Sequence, residues 1–243
     1  MMDDNEVAVR FQAAVQSFWD ARRAQKKKQE ESGRIDAGTR GAVTGGTQMG
    51  ALEVLVRDIM VDSGLDPAHI RSRTALELPG YYGPEKKWDL LVVTDDTPRA
   101  VVAAIEFKSQ VGSLGKNANN RVEEAIGSAS DLWAAFEKGL MGTSPRPFLG
   151  YFFLLEDSAD AHRQRERYAE PYFTVDSEFE GASYSRRYEV LCRRLIRQRL
   201  YDSACLVLAT DEAPTRISHP NGADDLTFAR FVSDVRAAAQ RFA

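Results

Sequence analysis

Asp89, Glu106 and Lys108 are the residues of this chain whose types and spacing fit a definite chemistry. Asp89 lies in the run 87–93 (KWDLLVV), Glu106 and Lys108 end the run 100–108 (AVVAAIEFK), and Asp95-Asp96-Thr97-Pro98 between them is a turn signal. A hairpin with its turn centred between Thr97 and Pro98 places Asp89 opposite Glu106, and opposed side chains of an antiparallel pair have Cβ atoms about 5 Å apart. Lys108, two residues further on, shares the face of Glu106. Two carboxylates facing each other at the end of apolar strands repel and lose hydration unless a cation joins them. Magnesium suits such a pair, because it prefers oxygen ligands and commonly takes one or two carboxylates together with a substrate phosphate. A metal held there polarises a phosphate and activates water, while Lys108 orients that water or stabilises the developing charge. The chemistry expected is phosphodiester hydrolysis, with Asp89, Glu106 and Lys108 catalytic and Asp89 and Glu106 as metal ligands. Glu53, on the preceding helix, is a further ligand or water-positioning group; the alternative is a solvated helix-face glutamate.

The elements that must position these residues follow from periodicity. Val7, Phe11, Ala14, Val15 and Phe18 recur at helical spacing and predict an N-terminal helix over about 5–31 with a basic tail. The glycine-rich stretch 33–50 reads as a loop, and Leu52, Leu55, Val56 and Ile59 predict a helix over about 49–61. After Lys108 the polar stretch 109–120 (SQVGSLGKNANN) reads as a loop. It runs into a helix bearing Val122, Ile126, Ala129, Leu132, Trp133 and Phe136, with Asn119 or Asn120 as N-cap. Apolar runs 148–155 and 205–209 predict two more strands, the polar stretch 159–180 a surface excursion, and 185–201 and 226–242 two closing helices. This order predicts an α/β fold with a central mixed sheet flanked by helices. We expect one domain over 1–243, with a core of about 48–210 to which the N-terminal helix and the helix 226–242 are additions.

The stretch following Lys108 must begin within a few residues of the scissile phosphate. Its DNA-binding candidates are Ser109, Gln110, Lys116, Asn117, Asn119, Asn120 and Arg121. Lys116 and Arg121 suit phosphates, and Gln110, Asn117, Asn119 and Asn120 suit base edges. The asparagines could instead simply cap the helix.

Charge and composition limit the alternatives. The net charge of −4 does not mark a nucleic-acid binder, but positive charge is clustered at Arg22, Arg23 and Lys26–Lys28 and again at Arg186, Arg187, Arg193, Arg194, Arg197 and Arg199. Either cluster reads equally well as a solvated helix face. Cys192 and Cys205 lack zinc-ligand spacing and read as buried thiols. His69, His162 and His219 are scattered, and Thr44-Gly45-Gly46 lacks the Lys-Ser/Thr of a nucleotide-binding loop. No stretch is apolar enough to span a membrane, and the start Met1-Met2-Asp3-Asp4 is acidic where a secretory signal is basic, so a soluble, cytoplasmic protein is expected.

The hairpin and its three residues resemble the PD-(D/E)xK nuclease core. Longer stretches carry a narrower likeness: Ala42-Val43-Thr44-Gly45-Gly46, Leu78-Pro79-Gly80-Tyr81, Trp88-Asp89-Leu90-Leu91-Val92, Glu106-Phe107-Lys108-Ser109-Gln110-Val111-Gly112, Asn119-Asn120-Arg121 and Glu180-Gly181-Ala182-Ser183-Tyr184. These resemble the XhoI family of type II restriction endonucleases, from the first helix to about Val207. The resemblance implies a restriction-endonuclease-like core and a homodimeric, Mg2+-dependent enzyme cutting double-stranded DNA at the palindrome CTCGAG. Such an enzyme needs a DNA methyltransferase that protects the same site in its host. Trp88 stands where the superfamily pattern has proline. The alternatives on the same core are a repair or recombination nuclease and a catalytically inactive DNA-binding protein.

Overall fold

The computed structural model describes residues 2–31, 45–72, 74–165, 168 and 172–242. Two helices come first, α1 (Asp4–Glu31) and α2 (Gly45–Asp62). The glycine-rich loop expected over 33–50 falls mostly outside the described residues, but its last part, from Gly45, is already helical. Strands β1 (Ile70–Arg71), β2 (Glu77–Pro79), β3 (Glu85–Lys87), β4 (Leu90–Val93) and β5 (Val101–Gln110) follow, then the long helix α3 (Leu114–Glu137) and strand β6 (Phe148–Glu156). The chain ends with the short α4 (Ala159–His162), α5 (Tyr184–Arg197), β7 (Ser203–Ala209), β8 (Ile217–Ser218) and α6 (Phe228–Gln240).

Six strands form the central sheet in the order β1-β4-β5-β6-β7-β8. The β5/β6 and β6/β7 pairs are parallel, and the β1/β4, β4/β5 and β7/β8 pairs are antiparallel, so the sheet is mixed as expected. Its middle strands are apolar where helices cover both faces, as β5 is up to Ile105. Leu90, Val92, Ile105, Phe107, Phe152, Leu154, Cys205 and Val207 point to one side and pack with α1, α2 and α6. Leu91, Ala104, Tyr151, Phe153, Ala204 and Leu206 point to the other and pack with α3 and α5. The alternation assigns Glu106 and Lys108 to the second face, since each lies an even number of residues from Ala104.

The expected strand 87–93 divides in two. Lys87 ends β3, which pairs with β2 in a separate two-stranded ribbon, and only from Leu90 does the chain join the central sheet. The reason is local: the Trp88 N–H donates to the Leu76 carbonyl at 2.9 Å and so continues the ribbon's hydrogen bonding. The register of the main hairpin agrees with the expected turn centre over Leu90↔Ile105, Leu91↔Ala104 and Val92↔Ala103, after which an irregularity at Val93 shifts the pairing. The ribbon's turn is anchored to α3, where the Asp131 carboxylate accepts from the backbone N–H groups of Tyr81 and Tyr82 at 2.9 and 2.7 Å. Any side chain at Gly80 would meet Asp131 Oδ2 and the Gly83 carbonyl oxygen at 2.7 Å, which explains a glycine in Leu78-Pro79-Gly80-Tyr81.

Candidate active site

Strand β5 runs from the core to the edge of the molecule, and the site lies where it emerges. Val101 to Phe107 are all buried, while Lys108 and Ser109 are half-buried. Glu106 is only 1% exposed, a place where an ionised carboxylate survives only with close partners. It has three. Lys108 Nζ stands 2.8 Å from Oε1, Lys86 Nζ 3.5 Å from the same oxygen, and the Tyr201 hydroxyl donates to Oε2 at 3.0 Å. Burial works to raise the Glu106 carboxyl, but the two ammonium groups and the hydrogen bonds from Lys108 and Tyr201 outweigh it and hold the group below the usual carboxylate range. For Lys108, burial works to lower the ammonium and Glu106 prevails, leaving it above its ordinary value.

Asp89 sits one residue before the paired part of β4, so it is not a strand residue as expected. It is nonetheless at the end of β5: its Oδ2 accepts from the Phe107 N–H at 2.8 Å. That bond and the nearby Lys108 favour its ionised form, but burial is the larger effect and raises its carboxyl above the ordinary value. The structure therefore brings Asp89, Glu106 and Lys108 together at one strand end.

Glu53 reaches the same place from α2. Burial, and then the charge of Asp89, push its carboxyl up to about 7. A solvated helix-face glutamate would feel neither. Among the described residues no three His, Cys, Asp or Glu side chains gather into a ready-made cation cage. A raised carboxyl has a definite effect on stability: its contribution is fully present below the unfolded value near 4.5 and is lost as pH rises through about 7. Glu53→Gln is expected to leave the melting temperature of the metal-free protein unchanged at pH 4 and to raise it at pH 8. The gain at pH 8 is on the order of 1 kcal/mol after discounting for the part of the group that faces water. Equal effects at both pH values would place Glu53 outside the site.

The stretch after Lys108 differs from expectation. Ser109 and Gln110 still belong to β5, and α3 begins at Leu114, well before the asparagines expected to cap it. Gly112 (φ +60°) and Ser113 (φ +48°) turn the chain from strand to helix in a left-handed conformation, and Ser113, at the cap position, makes no side-chain capping bond. Asn119 and Asn120 are therefore not caps. They are exposed in the second turn of α3, Lys116 is exposed in the first, and Leu114 and Ala118 face the core. Asn117 leans back on the Ser113 carbonyl at 3.4 Å, and Arg121 pairs with Glu124. Gln110 is 3% exposed, and its amide donates to the Gly112 carbonyl. It supports the turn and does not face outward.

Two residues of the site were not singled out in the sequence. Lys86 could have been noticed as a basic residue just before the Asp89 strand, but its approach to Glu106 depends on the ribbon breaking away at Trp88. Tyr201 precedes β7 and reaches Glu106 only through the parallel order of the sheet, for which the sequence carries no local signal. The arginine cluster of α5 is largely engaged internally. Arg186 pairs with Glu189 and Glu178, Arg193 with Glu189 and Asp225, and Arg194 with Asp176 and Glu178, while Arg187 lies over the rings of Tyr168 and Tyr184. Cys192 and Cys205 are buried thiols. Among the described residues no helix is long and apolar enough to cross a membrane.

Comparison with known proteins gives this geometry its context. The family model described as restriction endonuclease XhoI matches residues 28–219, which include the whole strand end and the ribbon. The chain is 40% identical over 200 residues to the type II restriction enzyme BstVI of Geobacillus stearothermophilus, covering 81% of this chain and 89% of that protein. It is 44% identical to the type II restriction enzyme XhoI of Xanthomonas vasicola over 185 residues (75% of this chain, 72% of that one). It is 48% identical to the type II restriction enzyme AbrI of Azospirillum brasilense over 154 residues (63% and 68%). No solved structure gives a significant match. A family match over most of the chain, joined to a mixed sheet that ends in two acids and a lysine, means that this protein belongs to the XhoI family of restriction endonucleases and is a site-specific deoxyribonuclease.

Proposed function

We propose that this restriction endonuclease is a magnesium-dependent type II enzyme that cuts double-stranded DNA at CTCGAG, with Asp89, Glu106 and Lys108 as its catalytic residues. The observation that carries the metal site is the fully buried Glu106 beside Asp89, a carboxyl that burial drives above its ordinary value. This is an all-oxygen donor pair, which fits a hard divalent cation better than a softer one. Asp89 and Glu106 hold the ion, with Glu53 in reserve beside them. When bound, magnesium supplies polarisation of the scissile phosphate and acidifies a water. Lys108 keeps Glu106 ionised and presents a compact ammonium where negative charge grows on the phosphate. Tyr201 fixes the second oxygen of Glu106, so the carboxylate meets its ligand in one orientation.

A palindromic target matches a two-fold axis, and a homodimer presents one such site to each strand. The single domain of each subunit works in the cytoplasm, where a methyltransferase of the same specificity protects host DNA. Purified protein incubated with a plasmid carrying one CTCGAG is expected to give one linear product in magnesium and none in EDTA. Cleavage at ends or junctions irrespective of sequence would favour a repair nuclease, and binding without cleavage an inactive DNA-binding protein.

The exposed side of the first two turns of α3 lies against DNA beside the cut site in this reading. Lys116 meets a phosphate, and Asn119 and Asn120 meet base edges, with Ser109, Asn117 and Arg121 holding the approach. Alanine at a base-reading asparagine is expected to lower cognate affinity by about 1–3 kcal/mol while leaving non-specific binding unchanged. Lys116→Ala is expected to weaken both alike. Because Asn119 and Asn120 cap nothing, their alanine variants keep the wild-type melting temperature. An unchanged ratio of cognate to non-cognate affinity in both asparagine variants would remove α3 from the reading surface.

A further inference from the structure

One carboxylate oxygen of Glu106 faces two ammonium groups that come from different sheets. Lys108 belongs to β5 and stands 2.8 Å away; Lys86 belongs to the β2–β3 ribbon and stands 3.5 Å away. The two cations repel each other, and the negative charges of Glu106 and its neighbour Asp89 offset that repulsion. When a divalent cation binds to those carboxylates, one ammonium loses its reason to stay. Lys108 is the nearer of the two. Lys86 has the longer contact and a side chain 29% exposed, against 22% for Lys108, so it is the more weakly held and the more open to solvent of the two.

The departure of Trp88 from the superfamily's proline belongs to the same device. The Trp88 N–H makes the 2.9 Å bond to Leu76 that keeps the ribbon in place, a bond that proline cannot make. The indole, 1% exposed, forms a fixed shelf with Lys86 Nζ 5.2 Å from its ring centroid. The ribbon is held from its other end by Asp131 of α3. Lys86 is thus mounted on a rigid support beside the reaction centre, at the end of a flexible side chain.

We propose that Lys86 is a second substrate-contacting cation of this site, which neutralises Glu106 when no divalent cation is bound and turns to a DNA phosphate when one is. The inference rests on the proposed metal site. It requires Lys86 to contribute to DNA binding only in the presence of a divalent ion. Calcium, which takes the same oxygen ligands, is the probe.

In wild-type protein binding a cognate duplex, the salt dependence of affinity is expected to be steeper in calcium than in EDTA, by about one phosphate contact per subunit. Lys86→Gln removes that difference, and Lys86→Arg, which keeps the charge, restores it. Lys86→Gln also lowers the calcium concentration that half-saturates the site several-fold, since a competing cation is gone. Equal salt dependence of Lys86→Gln and wild type in calcium would overturn the proposal. So would an equal loss in calcium and in EDTA, which would make Lys86 a fixed DNA contact. Glu106→Gln serves as the control. If it leaves calcium binding unchanged, the metal-site reading itself fails; if it abolishes calcium binding while Lys86→Gln behaves as wild type, only the role of Lys86 is lost.

Discussion

Asp89→Asn and Glu106→Gln are each expected to lower the rate of single-turnover cleavage by at least about a thousandfold, the equivalent of several kcal/mol of lost charge stabilisation. Both changes keep side-chain volume and remove a metal-binding charge. Their effects on stability differ, because the two carboxylates are held differently. Asparagine at position 89 can still accept from the Phe107 N–H, and it no longer has a charge to bury where burial raises the carboxyl. The metal-free Asp89→Asn protein is therefore expected to melt at or above the wild-type temperature at pH 8. Glutamine at position 106 leaves the Lys108 ammonium without its charged partner at 2.8 Å. The Glu106→Gln protein is expected to melt lower at neutral pH, with a loss of about 1.5–3 kcal/mol for the charge-assisted contact. Metal-free DNA binding should survive in both. Cleavage within tenfold of wild type in either variant would sink the assignment of the metal site.

The unequal behaviour of these two acids shows what the sequence could and could not carry. Alternation along β5 and the turn at Thr97-Pro98 determine which side chains share a face, and they gave the observed register without tertiary information. Helices α1, α5 and α6 were legible because their apolar stripes pack on a sheet that is buried on both faces. What failed was decided by contacts distant in sequence. The run 87–93 is apolar enough for one strand, yet Trp88 bonds to Leu76 and the strand divides. The stretch 109–120 is polar and glycine-bearing, which suggests a loop. It becomes a helix from Leu114 because Leu114 and Ala118 find buried places against the second face. Glu53 was ambiguous for the same reason. Its position on α2 could be read, but its nearness to Asp89 follows from how α2 lies across the end of β5.

Lys108→Ala is expected to be as inactive as the carboxylate variants, and Lys108→Arg to remain inactive, because a planar guanidinium cannot replace a compact ammonium 2.8 Å from Glu106 Oε1. The alanine variant also tests whether Lys108 sustains the charge of Glu106. In the wild type, that carboxyl is held below its ordinary value chiefly against burial, with Lys108 as the strongest opposing influence. A depressed carboxyl contributes stability that is present above the unfolded value and is lost as pH falls through the folded one. Removing Lys108 leaves Lys86 at 3.5 Å and the Tyr201 hydroxyl at 3.0 Å as the remaining support. The difference in stability between wild type and Lys108→Ala is therefore expected to be largest at neutral pH and to shrink as pH falls through the lowered folded value of Glu106, where the carboxyl takes up its proton. A purely catalytic lysine would cause the same loss of cleavage with no pH-dependent loss of stability. Thermal melts from neutral pH down through that value, made without metal, separate the two roles. Equal melting differences throughout would show that Lys108 does not keep Glu106 ionised, even if the variant cuts no DNA.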